Sequence, residues 1–468
     1  MAEISIEQIE RNFAEINPPL TEAEALFEAN RCLYCFDAPC ARACPTHIDV
    51  PSFIKKIASG NLSGSARVIF DANPIGATCA RVCPVEVLCE GACVEKTLMA
   101  KPIEIGRLQR YATDYAMTRD KQIFAAGAPN GKSIGVVGAG PAGLSCAAYL
   151  ARLGYEVTVY DKKSLPGGLD AYGMAEYKMT QTVAVKEAEQ VARLGVKFEL
   201  DTEIAVMTAP PALAGELTNA RPRLVGFNSV DSTDLLNRHD AVFIGVGLGA
   251  TNNLNIAGEE LPGVVDALAF IERIKTRDWT RVPVGRTVAV IGAGNTAIDA
   301  VTQAKRLGAE RVLLVYRKTA KEMPAYEYEY ELAKQDGIEF LWQTAPIEIL
   351  GNGAVLGLRC RKTDGSDAVF DVACDMVIKA IGQQKQTGFF QSIGLETDEK
   401  GRVAVNELMQ TSNPQIFAGG DCVNGGAEAV DAAQMGKHAA EGIHFALTGE
   451  KAEFAGTKAA AIEKVHAH

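Results

Sequence analysis

Two glycine turns, each set between a short apolar run and a helix-like segment, decide most of what this chain can fold into. The first is Gly138-Ala-Gly140-Pro141-Ala142-Gly143, directly after Ile134-Gly-Val-Val137. The second is Gly292-Ala293-Gly294-Asn295-Thr296-Ala297, directly after Val288-Ala-Val-Ile291. Strand, glycine turn and helix in that order make a dinucleotide fingerprint. The glycines permit a tight turn, let backbone N–H groups approach a pyrophosphate, and allow the helix to pack closely on the strand. A lone copy is weak evidence; two copies in matching contexts predict two Rossmann-like α/β units. Further buried-strand runs at 156–160, 241–244, 312–315, 376–380 and 416–418 alternate with helical stretches, as parallel sheets require.

The two copies differ where the second strand of each unit ends. The run Glu156–Tyr160 ends in Asp161, where a ribose-binding carboxylate belongs. The run Val312–Val315 ends in Tyr316-Arg317-Lys318, basic residues that suit a 2′-phosphate and favour NADPH over NADH. The bland alternative is that Arg317 and Lys318 only solvate a strand end. Two such units in one chain suggest FAD in one and NAD(P) in the other. Gly419-Gly420-Asp421 resembles the segment of two-dinucleotide flavoproteins whose aspartate binds the flavin ribityl chain. Ala427–Asp431 resembles the helix start beneath their isoalloxazine ring, and Gly167-Gly168 fits the same pattern.

Eight of the 12 cysteines crowd one end of the chain. They read Cys32-x2-Cys35-x4-Cys40-x3-Cys44-Pro and Cys79-x3-Cys83-Pro-x4-Cys89-x3-Cys93. Thiolates bind iron–sulfur clusters in fours, often with proline after a ligand. Structural zinc favours paired CxxC knuckles, and only one CxxC is present. Spacing alone therefore predicts two clusters, one per run. Cys146, Cys360, Cys374 and Cys422 are scattered and read as structural. Around the cysteines the chain has helical periodicity, as in 51–60, where Phe53, Ile54 and Ile57 share a face and Gly60 is a plausible stop.

A net charge of −11 lacks the basic footprint of a nucleic-acid binder. The first residues show neither a basic n-region nor an apolar h-region, and no apolar run is long enough for a bilayer. The expectation is a cytoplasmic protein with no membrane partner, whose cysteines serve metals rather than disulfides.

Long stretches carry a family resemblance: Cys32-Leu-Tyr-Cys-Phe-Asp-Ala-Pro-Cys40, Ala43-Cys-Pro-Thr-His-Ile-Asp-Val50, 79–89 and Pro102-Ile-Glu-Ile-Gly-Arg-Leu-Gln109. The whole chain resembles the electron-input half of dihydropyrimidine dehydrogenases, which in bacteria is a separate NAD-linked subunit. The glutamate synthase small subunit and NADP-linked ferredoxin oxidoreductases share the architecture. The resemblance implies an N-terminal α-helical double-cluster domain (dihydropyrimidine dehydrogenase domain II) and two Rossmann-like domains, the NAD(P) domain inserted in a discontinuous FAD domain. The corresponding spans are 1–118, a linker at 119–132, FAD domain 133–255, NAD(P) domain 256–375 and FAD domain 376–468.

The resemblance also redistributes the ligands. Cys32, Cys35, Cys40 and Cys93 would hold one [4Fe–4S] cluster; Cys44, Cys83, Cys89 and the Gln109 amide oxygen would hold the other, leaving Cys79 spare. It implies FAD contacts at Gly138–Gly143, Asp161, Gly168, Leu169, Lys178, Gly420 and Asp421, with Lys178 standing where relatives have arginine. For the nicotinamide nucleotide it implies Ala293, Gly294, Asn295, Thr296, Arg317, Lys318 and the turn Ala380-Ile381-Gly382. Asn295 replaces an aspartate of some members, and the segment after Lys318 diverges from NADPH-using relatives. Preference between NADH and NADPH stays open.

The implied reaction is hydride transfer from NAD(P)H to FAD. Single electrons then pass through two [4Fe–4S] clusters to an FMN-containing large subunit, in a hetero-oligomer such as a heterotetramer. That partner would reduce uracil or thymine to the 5,6-dihydropyrimidine. No catalytic nucleophile or proton-relay dyad stands out. The alternative is a glutamate synthase small subunit or NADP-linked ferredoxin oxidoreductase subunit with a different partner. A disulfide reductase is disfavoured because Cys146 has no CxxC companion, and a non-enzymatic scaffold because both fingerprints are intact.

Overall fold

The computed structural model describes residues 4–205, 228–452 and 454–455, so parts of the two expected FAD spans, at 206–227 and 456–468, lie outside the described residues. The chain divides into two compact units, each assembled from three segments.

The larger unit comprises Asn17–Asp170, Thr182–Leu248 and Lys385–His468. Its centre is a parallel sheet in the order Ile416–Ala418, Ala241–Ile244, Ser133–Val137, Glu156–Tyr160, Lys197–Glu199. Val136, Val159 and Phe243 are fully buried there, as expected for strands covered on both faces. Helices Pro141–Arg152 and Ala429–Thr448 cover one face and pack on each other: a Cβ on Gly436 would lie 2.1 Å from the Ala142 carbonyl. Ser145 Oγ donates to the Ala433 carbonyl at 2.6 Å.

The cysteine region joins this unit as a bundle of short helices, among them Glu22–Asn30, Val50–Ala58, Leu62–Ala72, Gly76–Val82 and Ile105–Thr118. Helix Val50–Ala58 is capped by the Asp49 carboxylate on Ser52 N–H and buries Phe53, Ile54 and Ile57. Each contributes about 1.5–3 kcal/mol of burial. Gly60 follows at φ +74°, the left-handed conformation that stops the helix. The bundle shares a core with the sheet: Ile75 and Cys79 pack in the same buried cluster as Val136 and Ala147.

The smaller unit comprises Met1–Ile16, Ala171–Gln181 and Gly249–Gln384. Its parallel sheet runs Glu339–Leu341, Arg311–Val315, Thr287–Ile291, Met376–Lys379, Val264–Asp266. An antiparallel sheet of Thr344–Gly351, Val355–Lys362 and Val369–Ala373 completes it.

Several expected boundaries move, among them those of 171–181 and 249–255, expected in the first FAD span and found in the smaller unit. The strand Met376–Lys379, placed in the FAD domain by a break at 375/376, pairs Ile378 with Val290 and Val265 and belongs to the second sheet. Residues 4–16, expected in the helical domain, pack instead on the smaller unit. Phe13 stacks on Trp279 at 5.2 Å, and Asn12 Nδ2 donates to the Arg306 carbonyl at 2.8 Å. These shifts follow from long-range burial that local periodicity does not carry.

Candidate functional site

Strand Ser133–Val137 ends in a turn that only glycine fits. Gly138 has φ +104°, and a Cβ on it would lie 2.4 Å from the Gly245 carbonyl. Gly140 is the N-cap of helix Pro141–Arg152, with Pro141 and Ala142 in its first turn. A Cβ on Gly143 would meet the Gly138 carbonyl at 1.9 Å, so the third glycine lets the helix sit on the turn. Asp161 closes over the same loop: its Oδ2 accepts Ala139 N–H at 2.7 Å and its Oδ1 accepts Lys163 N–H at 2.8 Å.

Residues distant in sequence converge here. Gly168, at φ +57°, would place a Cβ 2.8 Å from Gly140 Cα; Leu169 follows, 37% exposed. Gly420, at φ +78°, would place one 3.0 Å from the Ala142 Cβ. Beside it the Asp421 carboxylate accepts Ala427 N–H at 3.2 Å, and burial pushes its pKa up. Gly138–Gly143, Asp161, Gly168, Gly420 and Asp421 thus form one cradle, with N–H groups at a helix start for a pyrophosphate and carboxylates for sugar hydroxyls.

The smaller unit builds a second cradle. Gly292, at φ +126°, would place a Cβ 2.2 Å from the Ala380 carbonyl, which seats the glycine turn on Ala380-Ile381-Gly382. Gly294 caps helix Asn295–Arg306, and nothing lies within 4 Å of a Cβ built there, so its outer side is open. Asn295 Oδ1 accepts Tyr326 N–H at 3.2 Å, and Thr296 is exposed. Arg317 and Lys318 follow strand Arg311–Val315, both exposed; Lys318 Nζ stands 3.5 Å from Glu322 Oε1. Lys178 is also in this unit. Its Nζ lies 2.6 Å from Asp299 Oδ1 and is bonded to Glu329, and the two carboxylates hold its pKa well above the ordinary value.

The cysteines ring two cavities, and neither ring follows one run. The first is lined by Cys32, Cys35, Cys40 and Cys93. The second is lined by Cys44, Cys79, Cys83, Cys89 and Gln109. Gln109 Nε2 donates to the Gly76 carbonyl at 2.7 Å, which leaves the amide oxygen as its donor atom towards a metal. Cys79 is 3% exposed, and its sulfur accepts the Asn73 Nδ2–H at 3.1 Å. Among the described residues no three or more His, Cys, Asp or Glu side chains gather as ligands of a single ion. The thiols surround a space rather than a point, as a multi-iron cluster needs. Burial pushes Cys40 up to about 12 and raises Cys32 and Cys89; the hydrogen bond with Cys79, together with burial, raises Cys83. The other four cysteines are buried free thiols.

Glu187 was invisible to motif reading. It is buried, and its carboxylate accepts Ala77 N–H at 2.6 Å, Thr78 N–H at 3.0 Å and the Thr78 hydroxyl, fixing the helix that carries Cys79. The available signal was a glutamate among the apolar positions Val183, Ala184, Ala188 and Val191. Burial pushes its pKa up to about 7. Its folded form therefore binds the proton better than the unfolded chain. The stability this contributes is full below about pH 4.5 and is lost as pH rises through about 7. Denaturation midpoints are expected to fall from about pH 5 to about pH 7.5, with a shallower slope in Glu187→Gln. Equal slopes in the two proteins count against the assignment.

A family profile described as pyridine nucleotide-disulphide oxidoreductase matches residues 132–436. A second, described as dihydropyrimidine dehydrogenase domain II, 4Fe-4S cluster, matches residues 9–121. The chain is 32% identical over 435 residues to the NAD-dependent dihydropyrimidine dehydrogenase subunit PreT of Escherichia coli (strain K12), covering 93% of this chain and 97% of that one. It is 33% identical over 473 residues to the glutamate synthase [NADPH] small chain of the same strain, covering 94% of each. In fold it is similar to the thioredoxin reductase of T. acidophilum, with a TM-score of 0.51 and 22% identity, covering 67% of this chain and 98% of that one. The helical cluster domain and the Rossmann-type α/β domains are thus both accounted for.

Proposed function

We propose, for a chain that belongs to the pyridine nucleotide-disulphide oxidoreductase family, that it is the electron-input subunit of a dihydropyrimidine dehydrogenase. Membership makes it an NAD(P)H-dependent flavin oxidoreductase with an iron–sulfur domain. The two thiol-lined cavities, with ligands exchanged between the cysteine runs beside a flavin-type cradle in one compact unit, support the electron-input reading. The stretches Asp37-Ala-Pro-Cys40 and Pro45-Thr-His-Ile-Asp49 support a dihydropyrimidine dehydrogenase as its partner. Bound there, FAD would supply hydride acceptance from the nicotinamide, and two [4Fe–4S] clusters would supply one-electron transfer towards a partner's FMN.

The chain's own residues bind and orient. The Gly138–Gly143 turn presents backbone N–H groups to the FAD pyrophosphate. Asp161 and Asp421 accept sugar and ribityl hydroxyls, each oxygen having a lone pair beyond its present bond. Cys32, Cys35, Cys40 and Cys93 hold one cluster; Cys44, Cys83, Cys89 and Gln109 hold the other. The neutral amide in place of a thiolate removes one negative charge from the second site, which shifts its potential. The pyrimidine is reduced on the partner, an FMN-containing large subunit.

Arg317 and Lys318 read the nucleotide. Charge-assisted hydrogen bonds contribute about 1.5–3 kcal/mol. Arg317→Glu with Lys318→Ala is therefore expected to weaken NADPH roughly 10- to 100-fold while NADH changes little. Steady-state KM values for both nucleotides check it, and unchanged selectivity means these side chains do not contact the phosphate.

Similarity to the glutamate synthase small chain favours a second reading, the same electron input serving a glutamate-forming partner. Purification of the complex from its native cell, with identification of the bound large chain, separates the two. An FMN-type dihydropyrimidine dehydrogenase chain supports the first reading, and a glutamate synthase large chain replaces it with the second.

A further inference from the structure

Helix Ala429–Thr448 carries a lysine where its pattern calls for a small residue. Lys437 falls in line with Ala433 and Ala440, both fully buried, and is itself 0% exposed. Lysine is almost never so buried unless its charge is paired. Its Nζ donates to the Thr46 carbonyl at 3.2 Å and the Ala455 carbonyl at 3.0 Å, and lies 5.6 Å from the centroid of the Tyr149 ring. Among the described residues no carboxylate forms an ion pair with it. Glu441, one turn along the helix, and Asp71 attract it without forming an ion pair, and Asp71 is itself paired with Arg152 at 2.6 Å.

A buried ammonium without an adjacent anion is expensive. Burial accordingly pushes its pKa down to about 8. The missing anion has a place in the structure. The Thr46 residue that accepts from Lys437 has its Oγ1 3.3 Å from Cys44 Sγ, and Val430, two turns earlier on the same helix, lines the second cavity. Three thiolates and a neutral amide around an iron–sulfur core leave net negative charge, and each electron received adds one more. The first cavity, by contrast, has four thiols and Glu95 in its wall.

We propose that Lys437 is a positioning cation for the second cluster, the buried countercharge of the Cys44, Cys83, Cys89 and Gln109 cage, and that it makes reduction of that cluster easier. The inference rests on the two-cluster reading above. One electron, originating from NAD(P)H, adds one negative charge to the cage; no bond forms or breaks, and Lys437 keeps its proton. A fixed positive charge in a low-dielectric wall favours the more negative state.

Redox titration of the holoenzyme, followed by electron paramagnetic resonance, tests this. Lys437→Met keeps the side chain's length and removes its charge. It is expected to retain wild-type iron and to shift one cluster's equilibrium against reduction by about tenfold or more, about 59 mV for one electron. The other cluster should hold its potential, and Lys437→Arg, which keeps the charge, should restore the shifted one. Should Lys437→Met bind less iron, the shift is read in Lys437→Gln. An iron-replete uncharged variant with both potentials unmoved overturns the proposal, and so does iron loss in all three variants, which would make Lys437 structural. A wild-type enzyme holding a single cluster instead overturns the two-cluster reading itself, before any variant is compared.

Discussion

Replacing Cys83 with alanine is expected to strip about four of about eight irons from each chain, while Cys79→Ala keeps them all. The two residues lie on one short turn of chain and line the same cavity, so the contrast tests ligand choice rather than general damage. Cys83 caps the end of helix Gly76–Val82 in extended conformation; Cys79 lies within the helix, with its sulfur already accepting from Asn73. On the proposed ligand set Gln109 supplies the fourth donor, which makes Cys79 dispensable. Iron analysis with visible absorbance reads the result. Equal iron loss in the two variants would make Cys79 a ligand and remove Gln109 from the set. Wild-type protein with stoichiometric zinc and almost no iron would end the cluster reading altogether.

Lys178→Met is expected to destabilise the smaller unit by about 3–5 kcal/mol, the cost of leaving buried carboxylates without their cation. Asp299 and Glu329 are both buried, at 4% and 2% exposure, and Lys178 is their shared partner. The Tyr177 hydroxyl, 2.6 Å from the Thr302 hydroxyl, extends the network across helix Asn295–Arg306, the helix that starts at the second glycine turn. Loss of the lysine therefore loosens the nucleotide cradle as well as the core. Denaturant unfolding of the variant checks the size. A change below about 1 kcal/mol would show that the lysine's charge is not what holds these two carboxylates in the core. Flavin content measured on the same samples tests separately whether Lys178 also serves FAD, as resemblance to arginine-bearing relatives implies.

The strands and glycine turns were legible because each is a local pattern. Val288–Ile291 reads as a buried strand, and the glycine at 292 can only be followed by a turn and a helix. The two parts of the first glycine cradle were legible too, since Gly420-Asp421 is itself a short motif. What the residues alone did not disclose is which cysteine belongs to which cavity. Spacing groups Cys93 with Cys79, Cys83 and Cys89, whereas packing of the helical bundle sets it against Cys32, Cys35 and Cys40. The family resemblance implies the same grouping as a ligand set. The assignment of residues 4–16 was hidden for a related reason: Phe13 and Ile9 find their partner in Trp279, far along the chain. Glu187 and Lys437 were missed because each is a single charged residue inside an apolar helical face, a signal that says a charge is buried but not what it meets.

The exchange of Cys93 and Cys44 between the two rings has a consequence for the order in which the protein is made. As the chain emerges from the ribosome, Cys32, Cys35, Cys40 and Cys44 appear first, and neither ring is complete. The first waits for Cys93, the second for Gln109 on helix Ile105–Thr118, and Val430 in the second wall arrives long after both. Neither cysteine run is a self-sufficient module that could be loaded early or moved intact into another protein. On the proposed ligand set, neither site can be loaded until both cysteine runs have been made, and until then the nascent thiols stay reduced and open to oxidation.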